Sequence, residues 1–359
     1  MRKRVLTGLI SAALALTLLA GCGSSSSGSS SASAPKEEAA AEETAAGETA
    51  EETAEEPAAE EGTYDIAYVL STRDEFLGLL EEKVQEAADA NGVRVEMLYA
   101  GNDSLKMIDC VEAARNSDKD AVIINLNAAE DAQACIEAAG DMKVVFINRV
   151  PADYAVLGPN AAAVASDEHQ SGKFQGEFLA EYFSGTGKTD VTYLLLRGTG
   201  GLVHTELRTE GAINALKEGG INLTEAAVVD ADYNREAAKN AMAEILSEVT
   251  FDCIISNNDA MALGAIAAME EADMDPTAIP IVGIDATEDG KEAIRNGQMK
   301  MTVFQSADGQ AKGAVQAALN MLEGKDLAEG TECERAEDSE YVLYYPFVPI
   351  TADNVDEAN

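Results

Sequence analysis

From Tyr64 to near its end, the chain alternates short apolar runs with segments of helical spacing. Residues 64–70 (YDIAYVL) form a compact β-rich run. Residues 75–91 then place Phe76, Leu79, Leu80, Val84, Ala87 and Ala88 on one helical face, and Asn91-Gly92 ends it. The same reading predicts strands at 93–99, 121–124, 144–147, 191–196, 223–229, 253–256, 281–284, 301–304 and 341–347. Helices are predicted at 104–117, 129–139, 167–183, 203–217, 234–248, 259–271, 287–296 and 307–323. Alternation of this kind demands parallel sheets covered by helices on both faces. The strands are too many for one ordinary sheet, and the rhythm breaks across 151–166. The expected fold class is therefore α/β, with two doubly wound parallel-sheet lobes. Ligands of such sheets bind beyond the carboxyl ends of the strands.

The first 62 residues read differently. Arg2, Lys3 and Arg4 precede an uncharged apolar stretch from Val5 to Ala20. That order is the mark of an export signal, and the stretch is short for a membrane span. Leu19-Ala20-Gly21-Cys22 resembles the lipobox of bacterial lipoproteins, which implies a signal peptide over 1–21 and acylation of Cys22. Residues 22–62 are low-complexity, first Ser/Gly and then Ala/Glu/Thr, with almost no large apolar side chain to repay ordering. A disordered tether is expected, and its 39 residues from Gly23 to Glu61 would reach roughly 30–40 Å as a coil.

The net charge is −40. Removing the +3 of Arg2–Arg4 and the −10 of the tether still leaves −33 on the remainder. Nucleic acid is excluded as a partner, because phosphate binding needs clustered Lys and Arg. Anionic lipid would repel the chain without a covalent anchor. Only two His are present, and the four Cys beyond Cys22 form no CxxC pair. Neither a His-rich metal site nor a disulfide framework can be read from them. Cys253, within a buried strand, reads as a small free hydrophobe.

The strand ends carry the chemistry. Asp74 and Phe76 follow the first strand, Asn125 the third, and Asn148 and Arg149 the fourth. Arg197-Gly198-Thr199-Gly200-Gly201 leads into a helix bearing His204 and Arg208. Tyr233, Asn258, Asp285 and Gln305 follow later strands. Asp accepts hydrogen bonds, Arg donates them, and Asn and Gln do both. Such a mixture suits a ligand rich in hydroxyl groups, with Phe76 and Tyr233 covering its C–H faces. The glycine run lacks the phosphate-loop Lys and the dinucleotide spacing. Structural readings stand beside these. Phe76 and Tyr233 also suit core packing, Asp285 a turn or helix cap, and Arg208 a surface pair with Glu206, Glu210 or another acid. His204 suits a surface position and His169 a solvated one.

The same residues carry a resemblance over about 64–354. NNDAMALGA (257–265), IPIVGIDAT (279–287), FINRVP (146–151) and FVPITADNV (347–355) resemble motifs of bacterial sugar-binding proteins of the galactose/ribose type. These are type I periplasmic binding proteins, the solute-capturing components of ABC importers. The resemblance implies ligand contacts at Asp74, Phe76, Asn125, Asn148, Arg149, His204, Arg208, Tyr233, Asn258, Asp285 and Gln305. Asn148 stands where ribose-type members have Asp, and Gln305 is the ribose-type choice. Leu202 and His204 replace the His and Asp of glucose/galactose-type members. The calcium loop of those proteins would fall on SGTGKTD (184–190), which offers one carboxylate where calcium wants six to eight oxygens. No metal, cofactor or catalytic residue is expected.

The resemblance further implies a three-segment hinge. It places 63–164 plus 306–329 in the first lobe and 165–305 plus 330–359 in the second. The expected protein is a lipid-anchored, extracytoplasmic monomer that captures a hexose or pentose and hands it to an ABC permease. The alternative is a sensor presenting a sugar or polyol to a chemoreceptor or kinase. A glycoside-processing enzyme built on Asp74 and Asp285 is the remaining reading, and it would need a tuned acid–base pair across the bond.

Overall fold

The computed structural model describes residues 64–357. The expected signal peptide, Cys22 and the tether lie outside the described residues. The strands are β1 (Asp65–Leu70), β2 (Arg94–Tyr99), β3 (Ala121–Ile124), β4 (Lys143–Ile147), β5 (Ala161–Ala165), β6 (Asp190–Arg197) and β7 (Asn222–Asp230). They continue with β8 (Cys253–Ser256), β9 (Ile281–Val282), β10 (Met301–Phe304), β11 (Glu334–Arg335), β12 (Val342–Tyr344) and β13 (Val348–Thr351). The α-helices are α1 (Glu75–Ala90), α2 (Ser104–Asn116), α3 (Ala132–Ala139), α4 (Glu168–Thr186), α5 (Val203–Glu218), α6 (Arg235–Ile245), α7 (Asp259–Glu271), α8 (Glu288–Arg295) and α9 (Ala307–Glu323).

Two sheets result. The first runs β11-β12-β5-β4-β3-β1-β2 and the second β13-β10-β9-β8-β6-β7. Pairing is parallel except for β11 with β12 and β10 with β13. The parallel cores repeat one order: β2-β1-β3-β4-β5 in the first lobe and β7-β6-β8-β9-β10 in the second. Each therefore has a switch point beside its first strand, where loops leave in opposite directions and open a crevice.

Strand periodicity explains the layering. Ile66, Tyr68 and Leu70 of β1 join the cluster under α1 and α9, while Ala67 and Val69 face the cluster under α2 and α3. Side chains two apart share a face, so a strand buried on both sides is apolar throughout. Burying each such Val, Leu or Ile contributes about 1.5–3 kcal/mol. Helix α1 starts at Asp74, whose Oδ1 accepts from Leu77 N at 2.8 Å, and it buries Phe76, Leu77, Leu80, Val84, Ala87 and Ala88. Gly92 at φ 66° supplies the left-handed turn beyond its end.

Two expectations are corrected. Residues 161–165 (AAAVA) form a fully buried strand where none was expected, because alanine carries little strand propensity and only the sheet context selects it. The segment 330–347 was expected in the second lobe. Its strands β11 and β12 instead extend the first sheet, with Val342, Leu343 and Tyr344 paired to Ala163, Val164 and Ala165. The last crossing between sheets thus falls between Tyr344 and Val348, and the expected strand 341–347 is split across it. Among the described residues, no helix is long and apolar enough to cross a membrane.

Candidate functional site

A narrow cavity of about 30 Å³ lies where strand-end loops of the two sheets meet. Asp74, Phe76, Leu77, Asn148 and Arg149 line it from the first lobe. His204, Arg208, Tyr233, Asn258, Asp285 and Gln305 line it from the second. Ten of the eleven residues singled out in the sequence thus share one space. Asn125 does not line it. It stands behind the wall, where its Oδ1 accepts from Ser71 Oγ at 2.5 Å and its Nδ2 donates to Ile147 O and Asn148 Oδ1, both at 3.3 Å. Ser71 in turn accepts from Arg149 Nη1 at 3.0 Å, and the same nitrogen donates to Leu126 O at 3.0 Å. Asn125 ties three strand ends together and so aims Arg149. Leu77 was not foreseen, because nothing separates it from an ordinary helix-face residue.

Arg208 is set by the packing of two helices. Gly172 and Gly176 on α4 meet the backbone of α5 so closely that a Cβ on either would collide with it. At that separation Glu168 and Arg208, 7% and 4% exposed, form two parallel bonds of 2.7 Å. Arg208 also donates to Asn257 O at 2.9 Å and to Gln305 Oε1 at 3.1 Å. The buried partner is Glu168, not the surface acids Glu206 and Glu210. Such a fork–fork pair fixes the plane of the guanidinium as well as its place.

Tyr233 sits in the left-handed region at φ 60°, its ring against Gly198, where any Cβ would strike it. Its hydroxyl lies 2.7 Å from Thr205 Oγ1, and His204 stacks on it with centroids 5.2 Å apart. Asn258 caps α7, accepting from Met261 N at 3.0 Å. Asp285 is no cap, since Thr287 fills that role for α8. Its backbone donates to Val303 O at 2.8 Å with φ at 117°, and among the described residues no hydrogen bond reaches its carboxylate. Asn148, Tyr233 and Asp285 all hold positive φ without being glycine, and strain of this kind collects at functional sites.

Burial raises the pKa of Asp285 well above the usual carboxylate range against the pull of Arg208, and it raises Asp74 against backbone bonds and Arg149. Burial lowers Arg149, with Asp74 opposing. His204 is lowered by burial and then by the charges of Arg208 and Arg149, which keeps its ring neutral. For Arg208, burial pulls downward but Glu168 more than offsets it, and the net shift is upward. The wall is thus a set of fixed donors and acceptors with a stacked aromatic. It can hold a polar guest, and it holds no nucleophile with an adjacent base.

The loop bearing Asp285 rests on a second buried carboxylate. Asp259 accepts from Thr302 Oγ1 at 2.6 Å and from Thr287 N at 2.9 Å, and Gly283 and Gly290 leave no room for a Cβ beside it. Burial pushes Asp259 up to about 7. A carboxyl raised on folding stabilises fully below its unfolded value of about 4, and that contribution is lost as pH climbs through the folded value. Asp285 acts with the same sign. His204, lowered on folding, acts oppositely and costs stability as pH falls. The free energy of unfolding is therefore expected to fall as pH rises from about 4 to about 7, where the carboxyl is ionised when unfolded and protonated when folded, by up to about 1.4 kcal/mol per pH unit and proton, with His204 opposing the fall below about pH 6.5. Calorimetry of Asp259→Asn should show a flatter slope. An unchanged slope would contradict the assignment.

Residues 66–326 match the family model described as a periplasmic binding protein domain. The chain belongs to that family. A Rhizobium meliloti protein named for rhizopine binding is 30% identical over 291 residues, covering 79% of this chain and 88% of its own. A Haemophilus influenzae D-galactose/methyl-galactoside binding periplasmic protein is 28% identical over 295 residues, covering 79% and 87%. The crystal structure of an ABC transporter solute binding protein from Bacillus halodurans, with bound myo-inositol, superposes at a TM-score of 0.71. It is 27% identical and covers 82% of this chain and 97% of its own. The fold of this periplasmic binding protein is type I, as its motifs implied, and the family binds solutes and is not enzymatic.

Proposed function

We propose that this binding protein captures a small, uncharged polyhydroxylated ring, a monosaccharide or a cyclitol, between its two lobes. The observation that supports this is the convergence of Asp74, Asn148, Arg149, Arg208, Asn258, Asp285 and Gln305 on one cavity with Phe76 and Tyr233. A hydroxyl donates and accepts at once, so each of these groups finds a partner on such a ring. Arg149 Nε and Gln305 Nε2 are buried without a partner, and no hydrogen bond reaches the Asp285 carboxylate among the described residues; these groups make the site selective, because a guest without a matching hydroxyl leaves them unsatisfied. The motif resemblance and the relatives named for sugars or polyols support the same reading.

Closure follows from the same geometry. Arg235 Nη2 of the second lobe reaches Glu75 Oε2 of the first at 2.7 Å while also meeting Asp289. The solute joins the rims and shifts the population toward this closed form. In the proposed cycle the protein is exported, acylated at Cys22 and held outside the membrane as a monomer by residues 22–62. The closed form then docks on an ABC permease.

A thermal-shift panel of pentoses, hexoses, polyols and inositols tests capture. At least one member is expected to raise the melting temperature by several degrees at millimolar concentration. A folded protein that responds to none would overturn the reading. With the solute in hand, Gly198→Ala is expected to displace the Tyr233 ring and weaken binding at least tenfold in a calorimetric titration, the cost of losing one aromatic face.

A further inference from the structure

The wall of the solute cavity is shared on one side. Asn148, Arg149 and His204 line both that cavity and a cleft of about 1120 Å³ beside it. The inner space is about 30 Å³, and Asn148, Arg149 and His204 form the partition between it and the larger cleft. One wall of the cleft is a pair of half-buried tyrosines. Tyr154 and Tyr344 come from elements far apart in sequence, and their hydroxyls lie 2.7 Å from each other. Both also pack against the cluster under α2 and α3, and a half-buried tyrosine joins an apolar ring to a polar tip, a combination that suits a sugar ring.

The charge of the cleft narrows the class of guest further. Asp153 and Asp338 stand exposed in its lining. Its remaining guanidinium, Arg335, is held away by Asp326 at 2.7 and 2.9 Å and by the Glu340 carbonyl. Asp153 Oδ1 accepts from Ala155 N at 2.9 Å and keeps its second oxygen for the cleft; such carboxylates accept from hydroxyls and repel anions.

We propose that the cleft is a second subsite, and that the solute is a glycoside whose first ring occupies the inner cavity and whose second, uncharged sugar ring leaves past Asn148 and His204 to lie on Tyr154 and Tyr344. The inference rests on the reading of the inner cavity given above. A solute of this shape stays bound in the closed form with one end in the larger cleft.

Calorimetric titration tests it with D-galactose and myo-inositol as bare rings and with methyl β-D-galactopyranoside, melibiose and galactinol as substituted ones. At least one substituted ring is expected to bind as tightly as its bare counterpart or better. Tyr344→Ala is expected to weaken that glycoside at least fivefold while leaving the bare ring within twofold. Ala152→Trp, at an exposed position in the lining, keeps the proposal testable if the tyrosine variant folds poorly. It is expected to block the glycoside and spare the bare ring. If bare rings bind and every substitution costs more than a hundredfold, the subsite is refuted and the inner site stands. If glycosides bind but neither variant discriminates, the location is refuted. Where another member of the thermal-shift panel is the solute, that ring and its glycosides take the place of galactose and inositol; if no ring of that panel binds in any form, the reading of the inner cavity falls, and this one with it.

Discussion

Arg208→Ala should cost about 3–5 kcal/mol of stability in addition to abolishing solute binding. The guanidinium is 4% exposed and Glu168 is 7% exposed. Deleting the cation leaves the Glu168 carboxylate in a dry interface with only Ser171 Oγ, at 3.0 Å, to solvate it. The carbonyl of Asn257 and the side chain of Gln305 lose a donor in the same step. Most of the loss is the penalty of an unpaired buried charge, not the net worth of the pair, and this distinction can be measured. Replacing both partners with apolar residues, Arg208→Met with Glu168→Met, should recover at least about 2 kcal/mol relative to the single variant, because no charge is then stranded. The double variant should still fail to bind, since nothing then donates into the cavity at that position. Urea midpoints give the stabilities and titration gives the binding. A single variant as stable as the parent protein would show that water reaches Glu168, and the picture of a dry, pre-set guanidinium would be wrong.

The pair also shows where sequence reasoning stops. Arg208 could be placed at a strand-end site because it follows a glycine turn after an apolar run. Glu168 could not be placed, because the strand it follows, β5, was not foreseen, and it stands between Asp167 and His169 at an ordinary helix start. What joins the two is the closeness of α4 and α5, and that depends on Gly172 and Gly176, which a one-dimensional pattern shows only as helix-weakening residues. The elements themselves were legible to within a few residues wherever β-branched and aromatic side chains mark the strand, as in β1, β8 and β10. They were illegible where the strand is alanine, as in β5, or short and polar, as in β11. The segment 330–347 belongs to the first sheet and not to the expected second, for a related reason, while β13 lies in the second sheet. Strand β12 is three residues long, and only its parallel register with β5 says which lobe owns it. Asn125 was correctly placed at a strand end, but the sequence does not say whether an amide there faces the crevice or braces its neighbour. Its bonds to Ser71, Ile147 and Asn148 use its polar atoms in bracing.

Asp285→Asn is expected to raise stability and lower solute affinity about 10–100-fold, opposite signs from one substitution. The affinity side follows from the hydrogen bonds that a carboxylate accepts from hydroxyls, worth about 1.5–3 kcal/mol when one partner is charged. The amide keeps one acceptor and turns the other face into a donor. The stability side follows from what the carboxylate lacks before the solute arrives. It is 6% exposed, accepts no hydrogen bond among the described residues, and lies in the field of Asp259 and Asp74. Arg208 attracts it, but Glu168 already saturates that cation with two bonds. Neutralising the group removes a desolvation penalty that only a bound ring repays. Asparagine also tolerates positive φ better than most residues, so the loop at φ 117° carries no extra strain. The melting temperature of the solute-free variant near pH 8, where the parent carboxyl has most reason to ionise, should exceed that of the parent protein, and the gap should narrow toward pH 5. A variant that is both weaker in binding and less stable at every pH would mean that Asp285 has a structural partner in the closed form. The lone acceptor would then not be what selects the guest.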